Sequence, residues 1–283
     1  MNETEKCRYG LMTYSDYTPG FQNIGDYIQS LAAAQYLPPK PLYLNREFLN
    51  TYDGNPVQLI MNGWFMHNPE NFPPSNNINP LFVSFHVAKQ YRERLLTKEV
   101  IDYLKKHGPI GCRDKSTLKY LTEKNIPCYF SGCLTLTLDL SYKNNEEARD
   151  NTVYIVDPYI QWSHSLPIIC EIVKISIKKY RLIKIISKKL KKEHCEIILP
   201  KIYQNRLGLW IYATMIYNTY SRLIDEGVLT HAEYLTHIIN TETFTTDSSR
   251  FHHADELLKR YSKASLVITS RLHCECFCIN YVC

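Results

Sequence analysis

Two basic side chains near the C-terminal end of the sequence carry the clearest chemical signal. Arg271 and His273 follow the run Ser265-Leu-Val-Ile-Thr-Ser270. Its consecutive apolar, β-branched residues predict a buried strand over 265–269. A helix is predicted to start near Arg271, with Thr269 or Ser270 capping it. In an open α/β sheet, ligands bind at such strand-to-helix junctions. The helix start offers unpaired N–H groups and partial positive charge, and both favour an anion. Arg271 adds a planar fork suited to phosphate or carboxylate. His273 adds a group that can move a proton near neutral pH. Ser270 and Leu272 share this turn and join the candidate binding positions. The ligand that suits the corner is a small dianion.

Other positions could complete the chemistry. In Asn23-Ile-Gly-Asp26, Asp26 can take a proton from a hydroxyl and Asn23 can orient it. Gly25 would allow a tight bend or a close approach to ligand. Asp26 with Gln29 three residues on also reads as a capping box. In Gly111-Cys-Arg-Asp-Lys-Ser116, Arg113 is a second candidate cation, while Asp114 reads as a helix cap. His86 ends a predicted strand and could meet a ligand, although isolated strand-end histidines are usually structural. The Trp64-Phe65-Met66-His67 segment offers rings that either stack on a sugar or anchor a loop.

The elements that must position these residues alternate. Strands are predicted at 9–13, 57–61, 81–85, 109–112, 126–130, 153–157, 195–199, 237–240 and 265–269. Helices are predicted at 23–37, 97–106, from 113 to about 125, at 168–192, 203–225 and 251–261. Residues 64–79, rich in Asn and Pro, read as a surface loop. Alternation of this kind argues an α/β fold with a largely parallel sheet. Residues 143–151 are polar and aperiodic and read as a linker. The predicted domains are therefore 1–145 and 146–283.

At 283 residues the chain is long enough for two such domains. Its 45% hydrophobic and 22% charged content is that of a soluble globular protein. No apolar run approaches the ~20 residues of a membrane span. The polar start Met1-Asn-Glu-Thr-Glu-Lys-Cys7 is unlike a signal peptide, so a cytoplasmic location is expected. A net charge of +5 is too small to argue for nucleic acid. The ten cysteines contain no C-x-x-C pair and read as reduced thiols. Cys274, Cys276 and Cys278, spaced by two, would spread around a helix, so no metal site is expected. Nine Lys or Arg fall between 174 and 192. They read as a solvated face, or as a contact with an acidic acceptor or the anionic inner face of a membrane.

The runs Ala232-Glu-Tyr-Leu-Thr-His237, Arg250-Phe251, Ala254-Asp-Glu-Leu-Leu-Lys-Arg-Tyr261 and Val267-Ile-Thr-Ser-Arg-Leu-His-Cys274 resemble the polysaccharide pyruvyl transferase family. The turns at 23–26 and 111–116 match it in kind and order. The resemblance implies two Rossmann-like domains facing a cleft, the GT-B-like arrangement. It implies transfer of the enolpyruvyl unit of phosphoenolpyruvate to two hydroxyls of a sugar, forming a pyruvate ketal in cell-surface glycan biosynthesis. Phosphoenolpyruvate would be the donor substrate, with no further cofactor, and the acceptor a glycan or lipid-linked sugar. The family's Arg-x-His pair, which engages the donor, maps to Arg271 and His273. In the family, a further strand and helices follow that pair, whereas this sequence stops at Cys283. A second domain short of a strand, with an exposed edge, is therefore expected. Two alternatives stay open: a glycosyltransferase of similar architecture using a nucleotide-sugar donor, and a non-catalytic glycan- or anion-binding remnant of the family.

Overall fold

The computed structural model describes residues 8–14, 20–142, 149–161, 165–271 and 273–274. The strands and helices, in chain order, are β1 (Arg8–Thr13), β2 (Phe21–Asn23), α1 (Gly25–Ala34), β3 (Leu42–Asn45), β4 (Val57–Phe65), β5 (Ile78–Val87), α2 (Arg92–Leu95) and α3 (Lys98–Lys106). Next come β6 (Ile110–Cys112), α4 (Lys115–Glu123), β7 (Cys128–Phe130), β8 (Val153–Val156), α5 (Leu166–Lys178) and α6 (Tyr180–Lys192). The series ends with α7 (Arg206–Tyr220), α8 (Glu226–His231), β9 (Glu233–Leu235), β10 (Ile238–Asn240), α9 (Asp247–Lys263) and β11 (Leu266–Thr269).

The chain forms two compact units that exchange short segments. Of the described residues, the first holds 8–14, 25–142 and 245–255, and the second holds 20–24, 149–161, 165–244, 256–271, 273 and 274. A single division at 145/146 therefore misplaces two pieces. The Asn23-to-Asp26 turn is itself divided, with Asn23 in the second unit and Gly25 and Asp26 in the first. The predicted linker 143–151 lies mostly outside the described residues.

In the first unit, six described strands form one sheet in the order β3-β1-β4-β5-β6-β7, and every pairing is parallel. Strands of this sheet run as near-continuous apolar segments because parallel sheets are covered on their faces. Leu59, Met61, Phe65, Phe82, Phe85, Val87 and Ile110 are all buried. Helix α1 adds Tyr27, Ile28 and Ala32 to the core, and α3 adds Val100 and Leu104. Thr97 caps α3 by accepting from Val100 N–H, and Asp114 caps α4 by accepting from Thr117 N–H at 2.8 Å.

The second unit has a three-stranded parallel sheet, β11-β8-β9, and an antiparallel pair, β10-β2. Its core joins Ile155 and Tyr234 of the sheet to Ile183, Ile186 and Leu190 of α6 and to Leu209, Tyr212, Ala213 and Ile216 of α7. Each of the three α6 side chains contributes about 1.5–3 kcal/mol by leaving water.

Together the two units give the expected α/β class with parallel sheets. Several local expectations fail for identifiable reasons. Strand β4 does not stop at 61, where the predicted strand ends. Gly63 takes φ +85° and the strand continues to Phe65, with a register shift between Met61 and Gly63. The segment after it is not a surface loop, since Phe65, Met66 and Phe72 are buried. The apolar run 195–199 forms a 3₁₀ turn at Cys195–Ile198 rather than a strand. The predicted helix 168–192 breaks at Lys179 (φ −113°, ψ 25°) into α5 and α6, and each packs on α7. The short strands β2 and β9 escaped the sequence pattern because three residues carry too little periodicity.

The Asp26 capping box is also absent. Asp26 lies inside the first turn of α1, and the Gln29 side chain is buried with its amide on Cys133 Sγ at 3.6 Å. Gly25 is the buried first residue of α1. Among the described residues, the glycines with left-handed φ are Gly20, Gly63 and Gly132, so the tight bend expected at Gly25 falls elsewhere.

Candidate active site

In the second unit, β8 and β11 pair side by side and in parallel, so both carboxyl ends reach the same edge. Asp157 follows β8 there with φ +43°, a conformation that Asp tolerates better than most residues. Its side chain is buried. Oδ2 accepts the His237 N–H at 2.9 Å and the Arg271 Nε–H at 2.7 Å. Ser270 Oγ donates to the Asp157 carbonyl at 2.6 Å. Ser270 thus braces the strand end, and the predicted cap falls to Thr269, whose Oγ1 accepts from Arg271 N–H at 2.9 Å. Arg271 is partly exposed. Among the described residues no hydrogen bond reaches its two terminal nitrogens, so the fork's outer edge is available to an anion. His273 and Cys274 open a helical turn, with Cys274 N–H on the Arg271 carbonyl at 3.1 Å. Leu272, Cys276, Cys278 and the rest of the predicted helix lie outside the described residues.

In the first unit, the carboxyl ends of β1, β4, β5 and β6 are neighbours in the sheet. Arg46, just after β3, is almost wholly buried. Its guanidinium carbon lies 4.8 Å from the Tyr14 ring centroid and 4.7 Å from that of Trp64, a doubly stacked cation. It donates to the Trp64 carbonyl at 3.0 Å and to Glu47 Oε1 at 2.9 Å, and it reaches Asp26 Oδ2 at 3.6 Å. Glu47 is spent on structure, because its carboxylate also accepts from His67 N–H and Asn68 N–H. Asp26 is the acid that remains partly exposed. The Trp64 ring lies edge-on to His67, 4.3 Å between centroids, so this segment anchors Arg46 and its loop. Burial, and then the Arg46 charge, hold the His67 pKa below the ordinary histidine value.

His86 sits two strands away. Strand β5 carries one extra residue opposite the Met61–Gly63 shift, where Ser84 takes φ +57°. The bulge changes the alternation, so Phe85 and Val87 are buried while His86 is not. His86 Nδ1 bonds Asp114 Oδ2 at 2.6 Å, and Thr117 Oγ1 also donates to Asp114 Oδ2, at 2.8 Å. An Nδ1–H held by a carboxylate leaves Nε2 as the basic nitrogen. Burial and the Arg113 charge lower the His86 pKa against the pull of Asp114, so the ring is neutral near pH 7. Arg113 is held through its backbone N–H on the Phe85 carbonyl at 2.9 Å. Burial, and then the Asp26 charge, raise the Tyr14 pKa above the ordinary tyrosine value.

A model of the polysaccharide pyruvyl transferase family matches residues 23–281. The chain belongs to that family. No curated protein and no solved structure matches it. As a pyruvyl transferase family member the protein is a transferase whose substrate class includes a glycan acceptor. The match spans all the strand-end residues described above except Tyr14.

Of the sequence-predicted residues, Ser270 and Arg271 gather at the β8–β11 edge, with His273 following in the next turn. Asp26, Arg113 and His86 lie at the strand ends of the first unit. Asn23 belongs to the second unit. It is exposed in β2, paired with Ile238 in the second unit. Sequence reasoning missed Arg46 and Asp157 and read Asp114 only as a cap. Asp157 had a signal, an acid between the run Val-Tyr-Ile-Val and a proline. Arg46 had none, because its partners come from residues 14, 26 and 64. Arg250, inside a family-like run, is structural. It is buried with Nη1 3.4 Å from Tyr27 Oη and 3.7 Å from Asp247 Oδ1. Among the described residues no group of three metal-ligating side chains converges, and no helix is long and apolar enough to cross a membrane.

Proposed function

We propose that the protein transfers the enolpyruvyl unit of phosphoenolpyruvate to a glycan diol, forming a pyruvate ketal. The observation that carries this reading is Arg271. One nitrogen is fixed on a buried carboxylate and the outer fork is left open at a strand-end turn. A clamp of that kind suits phosphate or carboxylate and is pre-organised before substrate arrives. His273 protonates the donor's methylene carbon, giving a methyl group and an oxocarbenium-like centre. The first acceptor hydroxyl adds to that centre as its proton leaves. The bond to phosphate then breaks, and the second hydroxyl adds to close the ketal. One hydroxyl proton balances the new methyl hydrogen and the other leaves with phosphate.

Neutral His86, oriented by Asp114, is the acceptor's base, which typically contributes ~10²–10⁴-fold. Asp26, steadied by Arg46, accepts a hydrogen bond from a second acceptor hydroxyl. Arg113 supplies positive charge beside the base.

The deciding experiment is incubation with phosphoenolpyruvate and β-galactoside, mannosamine and glucoside acceptors, reading released phosphate and the mass of the acceptor. Phosphate release should accompany a ketal on the acceptor and should fall about 10²–10³-fold in Arg271→Met. Consumption of a nucleotide-sugar donor instead, with phosphoenolpyruvate untouched, would make the protein a glycosyltransferase.

A further inference from the structure

Helix α5 is unusual for its apolar content. None of its residues is buried, yet Leu166, Ile169, Val173 and Ile177 are all exposed, the first and last by 76% and 75%. Their spacing of three, four and four puts them on one stripe of the helix. The stripe borders an open groove of about 460 Å³ shared with α7, whose Leu207 is also exposed. A single apolar side chain at a surface is ordinary, but a continuous stripe beside an apolar groove marks an interaction site.

The other side of this surface is basic. Trp210 lines the apolar groove and also a second hollow walled by Lys184, Lys188, Lys191 and Arg206. The Tyr180 ring lies 5.3 Å from Trp210, and Trp210 Nε1 donates to Ser176 Oγ at 3.1 Å. Going across the surface, apolar side chains give way to two amphipathic rings and then to cations. Helix α6 has no acidic residue from Tyr180 to Lys192. A shaped protein partner would more often meet mixed charge. Cations of one sign suit a diffuse anionic surface.

We propose that α5, α6 and the start of α7 dock the protein on an anionic lipid bilayer. The α5 stripe enters the acyl region, Tyr180 and Trp210 sit at headgroup level, and Lys184, Lys188, Lys191 and Arg206 meet lipid phosphates. This order matches the way interfacial helices bind, by buried apolar area together with attraction to anionic lipid. The surface is independent of the transfer chemistry, so its test stands whatever the donor proves to be.

The test is flotation of the full-length protein with phosphatidylcholine vesicles, with and without phosphatidylglycerol. Binding should require phosphatidylglycerol and weaken as salt rises. The Val173→Asp/Ile177→Asp variant should lose binding by at least about tenfold. Lys184→Glu/Lys188→Glu should lose it comparably, since basic residues near the surface are what anionic lipid attracts. All four sites are exposed or at the rim, and thermal unfolding checks that each variant remains folded. Failure of the wild-type protein to bind, or equal binding without phosphatidylglycerol, overturns the proposal. So does a sedimentation result in which the wild-type protein dimerises and Ile177→Asp is monomeric, for the stripe is then an interface between copies of this chain.

Discussion

The two strand-end sites are electrostatic opposites. In the first unit the cation is hidden and the acid is offered, with 2% of the Arg46 side chain exposed against 24% for Asp26. In the second unit the acid is hidden and the cation is offered, with 4% for Asp157 against 32% for Arg271. Each buried charge is compensated in place. Rings, a carbonyl and Glu47 surround Arg46, and a backbone N–H backs Asp157. The exposed partner is fixed at one end and open at the other. An offered carboxylate and a neutral histidine suit hydroxyls, whereas an offered guanidinium suits an anion. Under the proposed function, the acceptor would fall to the first unit and the donor to the second.

The strongest way to break this contrast is at His86. His86→Gln should lower kcat/KM by about 10²–10⁴ if the ring is the base. In the wild type, burial and Arg113 place the inflection below the ordinary histidine value, so activity falls only as pH drops through that lower value and is full above it. The variant should lose that limb of the profile, and an unchanged limb would remove His86 from the mechanism. Next comes Arg46→Met, which leaves Glu47 buried with only N–H partners. Breaking such a pair costs about 3–5 kcal/mol, to be read from the denaturation midpoint. A neutral result would mean the first unit does not depend on its hidden cation. In the second unit, Asp157→Asn keeps an acceptor oxygen for His237 N–H but removes the charge that fixes Arg271. Stability should change by less than about 1 kcal/mol, while kcat/KM falls about 10² from loss of orientation. Equal loss of stability and activity would make Asp157 merely structural.

Histidines of the first unit should also make stability depend on pH. His67, His86 and His107 of the first unit have lowered pKa values, burial being the largest cause for each. The folded state then binds fewer protons than the unfolded chain. Stability from this source is intact above about 6.5 and declines as pH falls toward the lower folded values. Unfolding followed from roughly pH 8 to pH 5 should show the decline, and His67→Gln should flatten part of it. A flat wild-type profile would contradict the lowered values.

What the sequence revealed follows the same division. The cationic corner was legible because strand, hydroxyl and Arg-x-His lie within ten consecutive residues, where local rules apply. Asp26, Arg113 and His86 were legible as types at strand ends. Their partners were not, because Arg46 acts through Tyr14 and Trp64, and Asp114 looks like any helix cap until β5 brings His86 beside it. The fold class could be read from apolar, β-branched runs. Strand ends could not where a bulge imitates a turn, as at Asn62-Gly63, or where an apolar run such as 195–199 is too short to distinguish strand from helical turn.

That bulge supplies the smallest and most discriminating prediction. Gly63 holds φ +85°, and the atoms nearest a Cβ there would be those of the Gln29 side chain at 3.6–3.7 Å, an ordinary contact. Gly63→Ala should therefore cost only the backbone strain of a left-handed residue, about 1–2 kcal/mol. The same strand delivers the Trp64 carbonyl and ring to Arg46. If the bulge yields locally, denaturation will show the small loss and kcat/KM will hold. If activity instead falls as far as it does in His86→Gln, the bulge is what aims Trp64, Arg46 and Asp26 together. The offered acid of the first unit would then depend on one left-handed glycine in β4, much as the offered cation of the second depends on Asp157 at the end of β8.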